Sequence, residues 1–226
     1  MAGIAALREQ VSALVIIDVL SFSTAVDVAV SQGAIIFPFP YGDPNAAQIA
    51  AAHLGATLAQ PREAAGGQLS LSPASLRSIQ TGTKLMLPSP NGSRLSMGCG
   101  GKPVIAGCLR NAAAVAQAAL KMAGDGRIGV IPAGERWPDD SLRPAIEDLL
   151  GAGAIIHHLT GLCSPEAHIA RDAFRSAGND LARLIRESVS GRELIDRGFA
   201  SDVDIALDVE ASRCTPTLID GAYRNV

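Results

Sequence analysis

The sequence predicts an α/β fold: a layered sheet of largely parallel or mixed strands flanked by helices, with a helix-rich C-terminal third. Short apolar segments alternate with helical segments through the first two-thirds of the chain, which is typical of βαβ units. Hydrophobic residues make up 48% of the chain but aromatic residues only 4%, so Ala, Val, Leu and Ile must form most of the core. The 226 residues suit one domain over 1–226, in which helices over about 142–210 either form a lobe or pack back on the sheet.

The first strand is predicted over 13–17, because ALVII is a short apolar run rich in β-branched residues. A helix follows to Gln32, and the next residue is a glycine that can end it. A second strand, 34–39, is ended by prolines and a glycine. Proline opens a helix over 44–54, and a glycine again follows its last residue.

The middle of the chain continues the alternation after a Gly- and Ser-rich stretch, 62–72, which is predicted as a loop. A short helix over 73–79 begins with proline, and a strand over 84–87 stops at the turn-forming sequence PSPNG. An apolar strand is expected over 103–106. The Ala-rich segment 111–122 is a helix for which Asn111 is the expected N-cap.

The last third begins with a strand over 127–131, followed by a polar, loop-like insertion, GERWPDDSLRP. Long helices are predicted over 145–159 and 165–188 from their apolar periodicity. Short helices and turns follow. The segment 217–219 is predicted as an edge strand.

Composition and charge exclude some function classes. The net charge is −3 and basic residues form no run, so nucleic-acid binding is not expected. No apolar segment approaches the roughly 20 residues that span a bilayer, and no signal peptide is evident, so no membrane partner and a cytoplasmic location are expected. The four cysteines form no CxxC pair, which makes zinc binding unlikely to be their role. Ala- and Gly-rich helices leave open whether the chain packs as a homodimer or buries them in its own core.

The stretch VIIDVLSFSTAVDVAV interrupts apolar sequence with one carboxylate and three hydroxyls. Asp18 falls at the carboxyl end of the first strand, where ligands bind in open α/β sheets. Ser21, Ser23 and Thr24 fall at the start of the next helix, whose free N–H groups attract anions such as phosphate. A carboxylate beside a bound phosphate can hold Mg²⁺. The alternative is that a hydroxyl only caps the helix and that Asp18 pairs with a neighbour.

Two further stretches follow strands. In PSPNGS, Asn91 and Gly92 favour a tight turn whose N–H groups, with Ser93, can bind an anion. The alternative is that these residues only end the strand and form the turn. In the polar insertion, charged residues precede Glu147 and Asp148, which fall in the first turns of a helix. Both acids lie well off the apolar face of that helix. They are therefore either solvated or directed at a site at the edge of the sheet.

These stretches belong to an ordered set of motifs. The set comprises Asp18-Val19-Leu20 followed by Ser21-Phe22-Ser23-Thr24, then Pro90-Asn91-Gly92-Ser93, Asn111 opening a helix, Ala133-Gly134, Glu147-Asp148 before Ala152-Gly153, and Gly198-Phe199-Ala200-Ser201-Asp202-Val203. In this set the chain resembles the 2-phosphosulfolactate phosphatase (ComB-like) family over nearly its whole length. Arg62-Glu63 also resembles the G-E-R segment of that family.

The resemblance implies a ComB-like α/β fold and a Mg²⁺-dependent phosphatase acting on a phosphorylated, sulfonated lactate. The family has an arginine after D-V-L, where this chain has Ser21. An arginine there would be a natural partner for phosphate or sulfonate. Its replacement makes the expected substrate a small phosphorylated anionic acid, with other arginines supplying the missing charge.

The roles expected of the site residues fall into three groups. Asp18, with Glu147 or Asp148, would hold the metal. Glu135 could act as a base. The expected substrate-binding residues are Ser21, Ser23, Thr24, Asn91, Gly92, Ser93 and Asn111, with Arg110, Arg136 or Arg143 as the source of positive charge. The alternative function is a non-catalytic binding protein for a phosphorylated or acidic metabolite, and a third is a lyase or phosphotransferase on the same scaffold.

Overall fold

A mixed sheet with helices on both faces organises the protein. The computed structural model describes residues 2–64 and 66–226. Its strands are β1 Ala13–Ile17, β2 Ile35–Pro40, β3 Thr57–Leu58, β4 Lys84–Ser89, β5 Val104–Gly107, β6 Ile128–Pro132, β7 Glu135–Arg136, β8 Leu142–Arg143, β9 Pro216–Ile219 and β10 Ala222–Asn225. Its helices are α1 Ala2–Leu7, α2 Phe22–Ser31, α3 Pro44–Leu54, α4 Pro73–Leu76, α5 Gly92–Met97, α6 Ala112–Ala123, α7 Ile146–His158, α8 Pro165–Ala177, α9 Leu181–Glu187, α10 Val189–Asp196 and α11 Ala200–Ala206. The predicted α/β class is confirmed.

The main sheet consists of two parallel blocks joined by an antiparallel hairpin. Its order over the described residues is β3-β4-β2-β10-β9-β5-β1-β6. Strands β3, β4 and β2 run parallel to one another, as do β5, β1 and β6. Hairpin β9–β10 fills the space between the blocks and pairs antiparallel with both. Because three antiparallel pairings separate β2 from β5, the two parallel blocks run in opposite directions within the sheet.

The C-terminal segment corrects one prediction. Residues 217–219 were expected at an edge of the sheet, but β9 lies in its interior, and β10 was not predicted. Tyr223 explains why β10 can occupy that place. Its side chain is fully buried, its ring meets Phe22 edge-on with ring centroids 6.0 Å apart, and its hydroxyl lies 2.6 Å from the Ser96 hydroxyl.

Strand β1 separates two apolar cores, as period-two alternation requires. Leu14 and Ile16 face one core, which includes much of α2 and Tyr223. Val15 and Ile17 face the other core, where α6 and α7 pack. Every residue of β1 is buried, which fits a central parallel strand covered on both faces.

Helix α7 packs closely against both the sheet and α8, because small residues line it. A Cβ at Gly151 would lie 2.7 Å from Val19, and one at Gly153 would lie 2.1 Å from the Ala170 carbonyl oxygen. This close packing fixes the first turn of α7 beside the ends of β1 and β6. Whether the C-terminal helices count as a separate lobe stays a prediction.

Two other predicted elements differ in the structure. The helix expected over 165–188 is divided into α8 and α9 by a 3₁₀ turn, Gly178–Asp180, at which Gly178 has a φ of +45°. The insertion expected as a loop contains a short hairpin, β7–β8, in which Glu135 lies opposite Arg143. A hairpin this short has little local signal, but it gives Glu135 a defined position.

Candidate active site

Asp18 lies between the starts of two helices. It follows β1, and only 6% of it is exposed. Its Oδ1 accepts the Phe22 N–H at 3.1 Å, at the start of α2, and its Oδ2 accepts the Gly92 N–H at 2.8 Å, at the start of α5. The position follows from the sequence, since the chain must turn where a buried strand ends and a helix begins. The two amides orient the carboxylate without neutralising its charge.

Among the described residues, backbone amides and not a cation contact the Asp18 carboxylate. Burial, then repulsion from Glu135, raise the pKa of Asp18 to about 6, while the Phe22 and Gly92 amides act in the opposite direction. Glu147 contributes further repulsion. Carboxylates that share a site in this way favour a bound proton or cation. At neutral pH the group is mostly ionised and therefore available as a ligand.

Glu135 faces the same cavity from β7. The Asn91 side-chain amide donates a 2.9 Å hydrogen bond to its Oε2, which fixes the orientation of the carboxylate. Burial raises the pKa of Glu135, although the Asn91 hydrogen bond and the charge of Arg143 oppose that shift. A carboxylate whose pKa is raised toward the working pH is a better general base. Asn91 and Glu135, which were predicted separately as a substrate-binding residue and a base, thus contact each other.

Glu147 and Asp148 are buried rather than solvated, with 2% and 3% exposure. Asp148 accepts the Val19 N–H at 2.7 Å through Oδ1 and the Gly134 N–H at 2.9 Å through Oδ2, so it joins the loops after β1 and β6. Burial, and then the charges of Asp18 and Glu147, raise the pKa of Asp148. The two acids lie off the apolar face of α7 because they face the ends of β1 and β6. The solvated interpretation is wrong.

Glu147 retains an unused oxygen. Its Oε2 is buried and has no hydrogen-bond partner among the described residues. Its charge acts on Asp18, Glu135 and Asp148, so it lies within their electrostatic reach. A buried carboxylate oxygen without a donor is costly unless a ligand uses it.

Three of the predicted substrate-binding hydroxyls instead bind the backbone. They belong to the fully buried residues Ser23, Thr24 and Ser93. Their hydroxyl groups donate to backbone carbonyls near the strand ends: Ser23 to Ile16 at 3.1 Å, Thr24 to Val19 at 2.7 Å and Ser93 to Leu87 at 2.9 Å. Ser23 also accepts the Asp18 N–H at 2.9 Å. These hydroxyls position the loops and do not line the cavity, because the sharp turns leave backbone groups that need partners.

Arg110 and Asn111 also lie outside the cavity, contrary to their predicted substrate-binding roles. The Arg110 guanidinium forms ion pairs with Asp27 at 2.9 Å and Asp208 at 3.1 Å. Asn111 is fully buried; its oxygen accepts the Cys108 N–H at 2.9 Å, and its amide is bonded to backbone carbonyls. Both side chains are committed to holding the loop after β5.

The other two predicted arginines differ in their distance from the site. Arg136 is directed at Asp140, with a 2.6 Å hydrogen bond to its carbonyl oxygen, and does not line the cavity. Arg143 is buried and forms two 3.0 Å hydrogen bonds with Glu193, which does line it. Arg143 therefore supports the cavity wall and acts on Glu135 through its charge.

Arg62 is the cation that sequence reasoning did not assign to the site. Its Nη2 donates a 2.8 Å hydrogen bond to Ser21 Oγ, and its Nε lies 3.3 Å from Asp202 Oδ2. Arg62 and Arg197 both lie against the Phe199 ring, with guanidinium carbons 5.2 and 5.8 Å from its centroid. Burial lowers the pKa of Arg62, and the charge of Arg197 adds to that effect. The G-E-R resemblance was the available signal, but only the fold shows that this loop residue reaches position 21.

Asp18, Glu135 and Arg62 line a cavity of about 170 Å³, whereas Glu147 and Asp148 do not. The polar lining comprises Asp18, Ser21, Arg62, Ser89, Asn91, Glu135, Ser190, Glu193 and Arg197. The lining thus includes three carboxylates and two arginines. Such a cavity can hold a small anion against the arginines while a cation bridges it to the carboxylates.

The donors fit a hard divalent cation, although they are not arranged as a finished metal site. Over 2–64 and 66–226, no group of three or more His, Cys, Asp or Glu side chains is positioned to hold a metal ion. The free Oε2 of Glu147 and the raised pKa of Asp18 nevertheless indicate an unmet demand for positive charge. Mg²⁺ suits that demand, because it often takes only one or two carboxylates together with waters and substrate phosphate.

A family model for 2-phosphosulpholactate phosphatase matches residues 5–221. The chain belongs to this family. A probable 2-phosphosulfolactate phosphatase of Carboxydothermus hydrogenoformans is 31% identical over 201 residues, covering 85% of this chain and 80% of that protein. Relatives with the same name from Pseudothermotoga lettingae and Deinococcus radiodurans are 25% and 34% identical. Their matches cover 62% and 52% of this chain.

The family membership confirms the resemblance derived from the motifs. The matched segments span only 59% of the Pseudothermotoga relative and 48% of the Deinococcus relative. In the described part of the chain, no helix is long and apolar enough to cross a membrane.

Proposed function

We propose that the protein is a Mg²⁺-dependent phosphomonoester hydrolase for a small anionic phosphorylated acid, as its family membership suggests. The observation that carries the proposal is the position of Asp18. Its buried carboxylate, with a pKa raised to about 6, shares a cavity of about 170 Å³ with Glu135, Arg62 and Arg197. This combination provides separate places for a cation and an anion.

Asp18 and Glu147 would hold the metal. Asp18 is oriented by two backbone amides, and Glu147 has a buried oxygen free of hydrogen bonds among the described residues. When bound, Mg²⁺ supplies charge neutralisation at the phosphate and a water of lowered pKa. Asp148 has the supporting role of fixing the loops after β1 and β6, because backbone amides occupy both of its oxygens.

Arg62, Arg197 and Ser21 would bind the substrate anion. The two arginines lie against the same aromatic ring and repel each other, so an anion between them relieves that repulsion. Arg62 approaches Ser21, the position where the family pattern has arginine. It would therefore supply from a loop the charge that position 21 lacks.

Glu135 would accept the proton of the attacking water. Asn91 orients the carboxylate through its Oε2, and burial raises the pKa of Glu135, which makes it a stronger base. The proton then passes from Glu135 to solvent or to the leaving alcohol. No protein nucleophile is required in this scheme.

The test is release of inorganic phosphate from a panel of phosphorylated acids that includes 2-phosphosulfolactate and 2-phospholactate, with Mg²⁺ and with EDTA. We expect release only with Mg²⁺, and a loss of about a hundredfold or more in Asp18→Asn. Thermal melting and circular dichroism would check that this variant is folded.

Retained turnover in a folded Asp18→Ala or Asp18→Asn protein would contradict the assignment. If no panel member is hydrolysed but some raise the melting temperature, the chain is a binding protein for a phosphorylated metabolite. If the substrate is converted but no inorganic phosphate is formed, the enzyme is instead a lyase or a phosphotransferase.

A further inference from the structure

A second cavity, of about 630 Å³, adjoins the first one. The two share Arg62, Leu71, Pro90 and Arg197, which lie at their junction. The larger cavity continues outward between the loop after β2, the first turns of α3 and the segment after β3. A molecule with one end in the first cavity can therefore extend into the second without leaving the protein surface.

The walls of the second cavity are largely apolar with a few neutral polar groups. Its apolar lining includes Pro40, Pro44, Ala47, Leu58, Ala59 and Pro88. Tyr41 lines it too and is 68% exposed, so its ring offers a free face for stacking. The side chains of Asn45, Gln48 and Gln60 provide neutral hydrogen-bonding groups. This lining is typical of sites for organic molecules.

The charged residues around the second cavity are already paired. Arg197 forms an ion pair with Glu63, and Arg62 with Asp202. Asp43 accepts the Ala46 N–H at 3.0 Å as the N-cap of α3. Arg62 and Arg197 lie at the junction, where they would bind the phosphate-bearing end, so beyond the junction the cavity offers an occupant mainly apolar and neutral polar groups.

The sizes of the two cavities point to different parts of one molecule. At about 170 Å³, the first lies below the range of roughly 300–1,000 Å³ that is usual for small-molecule sites, whereas the second lies within it. A phosphate on a short acid would fill the first cavity. It would leave the second, with its exposed aromatic ring, without a function.

We propose that the second cavity binds the alcohol part of the substrate, which carries an uncharged and largely apolar group. The substrate class is then a phosphorylated acid whose phosphate-bearing end occupies the first cavity and whose apolar substituent lies against Tyr41 and α3. This inference rests on the proposed function for the identity of the reacting end. It adds a specificity site that a three-carbon acid would not need.

The experiment compares 2-naphthyl phosphate, as the bulky probe, with 2-phospholactate, as the short one. The value of kcat/KM for Mg²⁺-dependent phosphate release is measured for both, and their ratio is the readout. Gln48→Trp fills the cavity from the exposed side of α3, and Tyr41→Ala removes the stacking face. We expect each variant to lower the naphthyl-to-lactate ratio about tenfold, mainly through KM. Ile49→Trp, at an exposed neighbour on α3 outside the cavity, should leave the ratio unchanged.

A binding measurement separates this inference from the proposed function. Naphthalene fluorescence reports binding of 2-naphthyl phosphate without turnover, and inorganic phosphate should compete with it. Binding that Gln48→Trp weakens and Ile49→Trp does not, in a protein with no phosphatase activity, would support the second site while contradicting the reaction. Equal ratios in all variants would overturn the inference. So would a dimer in sedimentation velocity that Gln48→Trp dissociates, with no probe binding, because a second copy would then cover the cavity.

Discussion

At the residue scale, the carboxylates of Asp18 and Asp148 are held by backbone amides rather than by arginine or lysine side chains. Each accepts two N–H groups, and neither has a cation in hydrogen-bond contact among the described residues. Amides orient a carboxylate precisely in space, but they leave most of its charge to be balanced by something else. Glu147, whose Oε2 has no partner in the described part of the chain, adds to that imbalance. Such unbalanced buried charge is typical of a site that binds a charged ligand.

Replacing Glu147 should change the stability of the metal-free protein and its stabilisation by Mg²⁺ in opposite directions. In the metal-free protein, Glu147→Gln removes a buried charge that repels Asp18, Glu135 and Asp148. We expect the melting temperature in EDTA to rise by about 5 °C. The stabilisation produced by added Mg²⁺ should disappear in the same variant. Differential scanning calorimetry with and without Mg²⁺ measures both effects.

Glu166→Gln is the matched control, since Glu166 also lies in the first turn of a helix but is exposed. It should change neither quantity. A Glu147→Gln protein that keeps the full Mg²⁺-induced stabilisation would show that Glu147 is not a ligand.

The raised pKa of Asp18 predicts how stability depends on pH. Its pKa is about 6 in the folded protein against an ordinary value of 3.8, so the folded state binds the proton more tightly than the unfolded chain. The favourable contribution of this protonation is fully present below about 3.8 and is lost as the pH rises through about 6. Urea denaturation in EDTA across this window should show stability falling with pH, and falling less steeply in Asp18→Asn. Identical slopes in the two proteins would contradict the raised pKa.

At the scale of elements, the site depends on the close approach of α2 and α5. A Cβ at Gly92 would lie 2.2 Å from the Phe22 ring, so only glycine fits at the start of α5. The same residue donates its N–H to Asp18. The asparagine-glycine pair was expected to form a turn, but its glycine is required by packing.

Gly92→Ala should therefore affect stability and metal binding together. The added methyl group forces α5 away from Phe22, at a cost of about 1–3 kcal/mol in the free energy of unfolding. Because the amide moves with the helix, the affinity for Mg²⁺ should also fall. Urea denaturation and Mg²⁺ titration by calorimetry measure the two effects.

Met97→Ala provides a control in the same helix, because Met97 is 55% exposed. It should leave both quantities nearly unchanged. A Gly92→Ala protein with wild-type stability would mean that the contact with Phe22 relaxes freely.

At the scale of the whole molecule, the C-terminal hairpin connects the two halves of the sheet. Strand β10 pairs with β2, and β9 pairs with β5, so each parallel block depends on residues from the other end of the chain. Tyr223 lies in this junction and contacts Phe22, the residue that follows the loop of Asp18 and Ser21. The last strands thus support the geometry of the site.

Tyr223→Ala should cost about 3–5 kcal/mol in the free energy of unfolding, because it empties a fully buried site and removes a hydrogen bond to Ser96. Arg224→Ala, at the exposed neighbouring position, should change it by less than about 0.5 kcal/mol. Chemical denaturation of both variants gives the comparison. Equal effects of the two substitutions would mean that the hairpin does not stabilise the sheet centre.

Local signals in the sequence determined much of the fold. Strand β1 and helix α3 have the predicted limits, because the signals that set them are local. An apolar, β-branched run defines β1, and a proline at the start and a glycine after the end define α3. The same signals placed Asp18 at the end of a strand and Glu147 and Asp148 at the start of a helix. The ordered motifs also identified the family, since their spacing survives substitutions such as Ser21.

Only the tertiary structure decided which side chains meet. Arg62 reaches Ser21 from a position 41 residues away in the chain, whereas Arg110 forms an ion pair with Asp27 on α2. The hydroxyls of Ser23 and Thr24 turn inward because nearby carbonyls need donors. Hydrophobic periodicity specifies the buried face of an element but not its neighbours, which depend on contacts between distant segments. For that reason the sequence determined most of the helices and strands and the carboxylates of this site, and the tertiary structure decided its arginines, its second cavity, the short hairpin β7–β8 and the central place of the last hairpin.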